Sequence, residues 1–263
     1  MTAADLARLE QWFAVFVGGF ADLDPEGLRN IRLKEEHTHR VVTCMREIAA
    51  GEGLDSSQTL LALAIALLHD VGRFPQYRRW RTFRDSESDN HARLSLEVIR
   101  DEQLLAGLPE DEQLLIEEAV RFHNLLELPS AVASSADRYS RLIRDADKLD
   151  IWWVFLDYYR QPEQERASAV GLGFPDLPEV TPACLDALAA GTIIRLDQAR
   201  FLNDFKLLQI SWVYDLNFES TRRLLRERGY LEQLAATLPD SQQVQDAVQR
   251  ALASLEEIGS TGR

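Results

Sequence analysis

Apolar residues recur at helical spacing along almost the whole chain. The pattern predicts helices over 5–20, 28–50, 57–70, 91–105, 111–124, 137–160, 183–190, 197–216, 218–228 and 241–257. Breaks fall where Pro, Gly and Asp gather, as in "LDPEG", "GEGLDSS", "GLPEDE", "LPSAVASSADR", "GLGFPDLPEVTP" and "LPDSQQ". Alternation of the kind that suits a strand is scarce, and "TIIRL" at 192–196 is the one short candidate. The expected fold class is therefore all-α. Residues 161–182, rich in Pro and Gly, make the natural boundary. It divides the chain into an N-terminal helix at 1–27 packed on a core, a helical core at 28–160, and a helical extension at 161–263. The extension carries strong apolar faces (Phe201, Phe205, Leu208, Trp212) and is expected to pack on the core.

One helix stands apart. Leu60 to Leu68 is an unbroken apolar run, and it ends in His69-Asp70. A helix apolar on every side belongs in an interior. A buried carboxylate costs several kcal/mol unless it is neutralised, paired or bound to a metal. The rest of the chain must supply the partner.

The chain holds five histidines, His37, His39, His69, His91 and His123, all in its first half. Taken singly, His37 or His39 reads as a solvated residue in "RLKEEHTHR", His91 as a surface residue in a first helical turn, and His123 as a helix C-terminal residue favoured by the dipole. Periodicity separates the first two. His37 lies on the stripe of Val41, Met45 and Ile48, whereas His39 points roughly 200° away around the helix. His123 shares the face of Ile116, Ala119 and Val120. Further on, "LIRDADKLDIWW" sets Asp145, Asp147 and Asp150 among Leu142, Ile143, Leu149, Trp152 and Trp153. Carboxylates in so apolar a helix need a cation. Lys148 can neutralise one of them, a metal accounts for more, and either Asp145 or Asp147 can serve as its ligand.

Net charge narrows the partners. At -14 the chain lacks the basic face that nucleic acid or an anionic membrane requires, while local clusters of Arg still allow an anionic small molecule. The two cysteines, Cys44 and Cys184, have no metal-type spacing and are expected to stay reduced. The N-terminus has no basic region ahead of an apolar one, and Thr59–Leu68 is too short to span a bilayer. A cytoplasmic location is the expectation.

The order "HTHRV" (His37, with Arg40 after it), "LLHDVGR" (His69, Asp70) and "DADKLD" (Asp147) resembles the HD superfamily of metal-dependent phosphohydrolases, over residues 28–155. The resemblance implies an HD-domain helical bundle with additional C-terminal helices, and residues 28–160 as its metal-binding core. The histidines at 91 and 123, between the doublet and the last Asp, make the chain similar to those HD proteins that hold two metals. In these the doublet Asp bridges the ions. The implied ligands are His37, His69, Asp70, His91, His123 and Asp147, for one or two divalent ions: Mn, Fe, Co or Ni, with Zn or Mg also compatible. The implied activity is hydrolysis of a nucleotide or another small phosphate ester by metal-activated water.

Phosphate esters also require cations around the developing charge. The segment "GRFPQYRRWRTFRD" is expected to be a loop capping the site, with Arg73, Arg78, Arg79 and Arg81 holding phosphate and Tyr77, Trp80 or Phe83 stacking on a base. The plainer reading is a solvated loop paired with Asp85, Glu87 and Asp89. Lys148 is a further phosphate contact implied by the resemblance. Asp70, Arg73 and Lys148 are the expected catalytic groups. Two alternatives follow from the same ligand order: an HD-type di-iron oxygenase, and a metal-binding regulatory module without catalysis. The apolar C-terminal helices also suit a homodimer.

Overall fold

Helix follows helix in the computed structural model, which describes residues 1–129, 134–162, 167, 170 and 173–257. Among these residues there is no strand, so the all-α expectation holds. No described helix is long and apolar enough to cross a membrane. The helices are α1 (Ala3–Gly18), α2 (Pro25–Gly51), α3 (Ser56–Leu68), α4 (Arg73–Trp80), α5 (His91–Asp101), α6 (Glu110–Phe122) and α7 (Ser134–Arg160). They continue with α8 (Pro182–Ala189), α9 (Leu202–Ser211), α10 (Glu219–Arg228), α11 (Tyr230–Ala235) and α12 (Gln242–Glu257). The chain divides into two compact units, one of residues 1–151 and 161–170, the other of residues 152–160 and 171–263.

The first unit is built around α3. Every residue from Leu61 to Leu68 is buried, and α1, α2 and α6 all pack against the helix. Its start is set by Asp55, whose side chain accepts from Gln58 N at 2.9 Å while Gln58 reaches back to Asp55 N. On α2 the inward stripe is Val41, Met45 and Ile48, all with no exposed surface, so His37 is buried with them while His39 is exposed. Phe13 and Phe16 of α1 set their rings edge-on against Phe74 of α4, each with centroids 5.7 Å apart.

The arginine-rich segment after the doublet is a helix, α4, where the sequence suggested a loop. Pro75 sits in its first turn, where the missing N–H costs no hydrogen bond. Arg81 then ends the helix in the left-handed region at φ 58°.

Gly72 is required for a different reason. Its N–H donates to Ser95 Oγ at 2.9 Å, and that hydroxyl donates to His69 O at 2.8 Å, which ties the end of α3 to α5. A Cβ at Gly72 would lie 2.7 Å from the Leu94 carbonyl carbon and closer still to Ser95 N and His91 O. Only glycine permits this approach of two backbones.

In the second unit α12 lies against α8 and α9, and Trp152 at the end of α7 donates to Gln209 O at 3.0 Å. The helix expected over 197–216 is divided into a short 3-10 turn at Leu196–Gln198, then α9, then a second such turn at Trp212–Asp215. Buried Asp204 is the cause. Its carboxylate accepts from the backbone N–H of Arg200 (2.8 Å), Phe201 (3.0 Å) and Thr181 (2.7 Å), and so starts a new helix. The strand candidate "TIIRL" is irregular backbone. It has no partner strand among the described residues, and Ile194 N donates to Ser211 Oγ at 3.0 Å instead.

Gly72→Ala should destabilise the first unit by about 1–3 kcal/mol through backbone overpacking. Gly18→Ala, at a helical position with open space around it, should be neutral or gain about 0.4–1 kcal/mol. Urea unfolding of the two variants checks the contrast, and equal midpoints would contradict the close-approach account.

Candidate metal centre

Five helices, and the connection after α3 that carries Asp70, deliver the site. His37 comes from the middle of α2. His69 stands at the C-cap of α3 and His123 at the C-cap of α6. His91 opens α5, whose N-cap Asn90 accepts from Arg93 N at 3.0 Å. Asp147 and Asp150 lie on α7, one turn apart.

Asp70 is the hub. Its Oδ2 is 3.6 Å from His37 Nε2 and 3.8 Å from His69 Nε2. Its Oδ1 is 3.6 Å from His91 Nε2 and 3.8 Å from His123 Nε2. Each carboxylate oxygen thus faces its own pair of imidazoles. Asp147 joins the first pair, with Oδ1 3.1 Å from His37 Nε2 and 3.8 Å from His69 Nε2. His37, His69 and Asp70 form one group able to hold an ion, with ligand atoms within 4.8 Å of one another. Asp70, His91 and His123 form another.

The far side of each ring decides the chemistry. His69 Nδ1 lies 2.8 Å from Ala66 O, and His123 Nδ1 lies 2.8 Å from Val120 O. A carbonyl can only accept, so both Nδ1 atoms carry the proton, and in the neutral ring Nε2 is left as a bare lone pair. These bonds also satisfy carbonyls in the last turns of α3 and α6, which would otherwise be orphans. His37 Nδ1 is held at 2.6 Å by Asp150 Oδ2 and His91 Nδ1 at 2.6 Å by Asp85 Oδ2, with the same consequence.

The ligand rings therefore turn only acceptors towards the centre. The Nε2 atoms of His91 and His123 stand 3.0 Å apart. His37 Nε2, His69 Nε2, Asp70 Oδ1 and Asp147 Oδ1 are buried without a hydrogen-bond partner of good geometry. Lone pairs so converged repel one another unless a cation lies among them. The donor set, imidazole nitrogen with carboxylate oxygen, fits a divalent transition metal.

Ionisation follows the same field. Burial opposes the charge on Asp70, but Lys34, the surrounding imidazoles and Arg73 outweigh it and hold the carboxyl well below the usual range. Burial likewise opposes Asp147, and the His37 and His69 rings reverse the balance. Burial, then the neighbouring His91 and His69, push His123 down to about 3, so its ring is neutral and ready to ligate. Burial and Arg73 lower His91 as well. At His37 burial and Lys34 press towards the neutral form, but Asp147 and Asp150 prevail and raise its pKa.

Several residues of the site have partners that the sequence does not reveal. Lys34, one turn before His37, places Nζ 2.8 Å from Asp70 Oδ2. Asp150, one of three acids in an apolar helix, supports His37 and is itself held by Arg40 Nε at 2.6 Å. Asp85 supports His91. Arg144, buried, donates to Leu125 O and to Leu126 O (3.1 Å), which fixes the segment following His123. Heptad-like spacing can place a side chain on a buried face, but it cannot say which distant partner it meets.

The arginines of α4 divide. Arg73 turns inward, with Nε 3.4 Å from Asp70 Oδ1 and NH1 3.1 Å from Asp85 Oδ1. Arg78 pairs with Asp22 and lies over the Phe20 ring, and Arg81 pairs with Asp24. Arg79 is exposed and stacks on Trp80. These three are not brought to the cluster, because the acids of the α1–α2 turn hold two of them outward. Phe83 stands between Lys34 and Arg73, with centroid distances of 5.5 and 5.9 Å. Lys148 is half-buried, beside Asp147 in sequence, while Asp145 is fully buried and outside both metal-capable groups.

Mn²⁺ should raise the melting temperature of the metal-free chain. At a free concentration 100 times Kd the gain is about 2.7 kcal/mol. His69→Ala should abolish most of that shift in differential scanning calorimetry, and a wild-type chain indifferent to Mn²⁺, Fe²⁺ and Co²⁺ would contradict the cation requirement.

A family model described as HD domain matches residues 35–152. No curated protein and no solved structure matches the chain. The matched residues contain every histidine and carboxylate that meets at Asp70, from His37 to Asp147, on an all-helical scaffold. Residues 35–152 are an HD domain, which places this part of the chain in the HD-domain superfamily.

Proposed function

We propose that the chain is a metal-dependent phosphohydrolase acting on a nucleotide or another small phosphate ester. The observation that carries this reading is Asp70, whose two oxygens face separate imidazole pairs in a buried cluster of acceptors. His37, His69, Asp70 and Asp147 would hold one ion, and Asp70, His91 and His123 a second. Divalent ions bound there would supply an activated water and polarise the phosphoryl oxygen.

The protein's own part is orientation and charge. Asp150 and the Ala66 carbonyl keep the His37 and His69 rings turned with Nε2 inward, and Asp85 and the Val120 carbonyl do the same for His91 and His123. Lys34 and Arg73 flank Asp70 on opposite oxygens and add positive charge where a phosphate's negative charge would develop. Lys148, next to Asp147, is the further cation assigned to the phosphate. The overall negative charge of the chain disfavours polyanionic polymers and leaves small phosphorylated molecules as the substrate class.

A second reading, a di-iron oxygenase, draws on the same placement of the two Asp70 oxygens between imidazole pairs. Metal and oxygen separate the two. The Mn²⁺-loaded chain, screened without O₂ against nucleotides and simple phosphate esters, should release phosphate or cleave a phosphodiester. Asp70→Asn and His69→Ala should each lower that rate by about 100-fold or more. Absence of turnover on every ester by a folded, metal-loaded chain would refute hydrolysis, and an O₂-dependent product with iron would transfer the site to oxygenase chemistry.

A further inference from the structure

The two halves of the cluster are supported by matching relays. On the first side Arg40 holds Asp150, and Asp150 holds His37 Nδ1. On the second side Arg73 holds Asp85, and Asp85 holds His91 Nδ1. The scaffolds differ. Arg40 and Asp150 lie inside the long helices α2 and α7, and the Asp150 side chain is 2% exposed. Asp85 sits on the connection between α4 and α5, in a single 3-10 turn, with its side chain 31% exposed.

That connection is held from within by Gln76 of α4, which is fully buried. Its Nε2 lies 2.9 Å from Asp85 Oδ1, 2.8 Å from Ser88 Oγ and 2.9 Å from Asp89 O, and its Oε1 accepts from Arg73 NH1 at 2.9 Å. Arg73 also donates to Phe83 O. The inward polar groups of α4 and of the chain after it therefore converge on one carboxylate, and that carboxylate touches one ligand ring.

We propose that Asp85, braced by Arg73 and Gln76, is a positioning residue for the second ion. It fixes the proton of His91 on Nδ1 and so presents the Nε2 lone pair beside that of His123. The inference rests on the metal-binding part of the reading above, not on the reaction assigned to it. A carboxylate behind a ligand imidazole typically contributes 10- to 100-fold to metal affinity. Because Asp85 stands on a partly exposed turn while Asp150, its counterpart, is buried inside a long helix, the second ion is the weaker one and the site loads in a fixed order, first the His37 side and then the His91 side.

Titration of the metal-free full chain with Mn²⁺ by calorimetry tests this. The wild type should show two classes of site. Asp85→Ala and Asp85→Asn should weaken the weaker class by about 10- to 100-fold and leave the tighter class in place, while Asp150→Asn should weaken the tighter class. Nitrogen-15 spectra of the histidines in the metal-free chain supply a readout that a merely structural role would not move. The His91 proton should reside on Nδ1 in the wild type and shift towards Nε2 in Asp85→Ala. Three results would overturn the proposal: a wild type that binds one ion only, Asp85 variants that keep both classes, or variants that lose both classes equally. Absence of phosphate release would leave these titrations unaffected, so failure of the reaction and failure of the relay are distinguishable.

Discussion

Mutual repulsion among buried acceptors governs this structure. The imidazole nitrogens of His37, His69, His91 and His123 point at the two oxygens of Asp70, and the opposite nitrogen of each ring is tied to an acceptor. Hydrogen bonding on the outer side thereby strips the inner side of protons. In a low-dielectric interior an uncompensated cluster of this kind is costly, which is why the site suits positive charge: a proton drawn to His37, the ammonium of Lys34 against Asp70, and a metal ion that the two His/Asp groups could hold.

The rest of the first unit serves that convergence. An apolar α3, buried on all sides, holds His69 and Asp70 rigid at its end. Gly72 lets α5 approach until Ser95 bonds both Gly72 N and His69 O, and this approach brings His91 within reach of His123. Two rings stand at helix C-caps, where a free carbonyl is available to set the tautomer. A helix end thus contributes twice, by stopping the chain where the ligand is needed and by orienting the ligand's proton.

Much of this was legible in the sequence for physical reasons. Side chains recur every 3.6 residues on a helix face, so periodicity separated buried His37 from exposed His39. Burial makes ionic groups expensive, so an apolar run ending in His-Asp announced a partner elsewhere. Where local rules competed with tertiary ones they failed. "GRFPQYRRW" looked like a loop because of its Gly and Pro, yet Pro75 falls in the first turn, where it is harmless. "TIIRL" looked like a strand, but no second strand exists to receive it among the described residues. The helix expected over 197–216 was interrupted by Asp204, a residue whose pull on the N–H groups of Arg200 and Phe201 no hydropathy pattern reveals.

The sequence by itself determined the all-helical class and the buried helix that carries the doublet, because these depend on composition and period, and its resemblance to the HD superfamily implied the histidines and carboxylates that meet there. Only the tertiary structure decided their partners. Lys34 against Asp70, Asp85 behind His91, Asp150 behind His37 and Arg144 beneath His123 are contacts between residues far apart in sequence or on different helices, and their value depends on distances of a few ångströms. The arginines make the same point: one of a run of similar side chains turns to the metal centre, and two turn away, because the acids of the α1–α2 turn lie within reach of Arg78 and Arg81 but Asp70 and Asp85 lie within reach of Arg73. Charge type is written along the chain, whereas the pairing of charges is a property of packing.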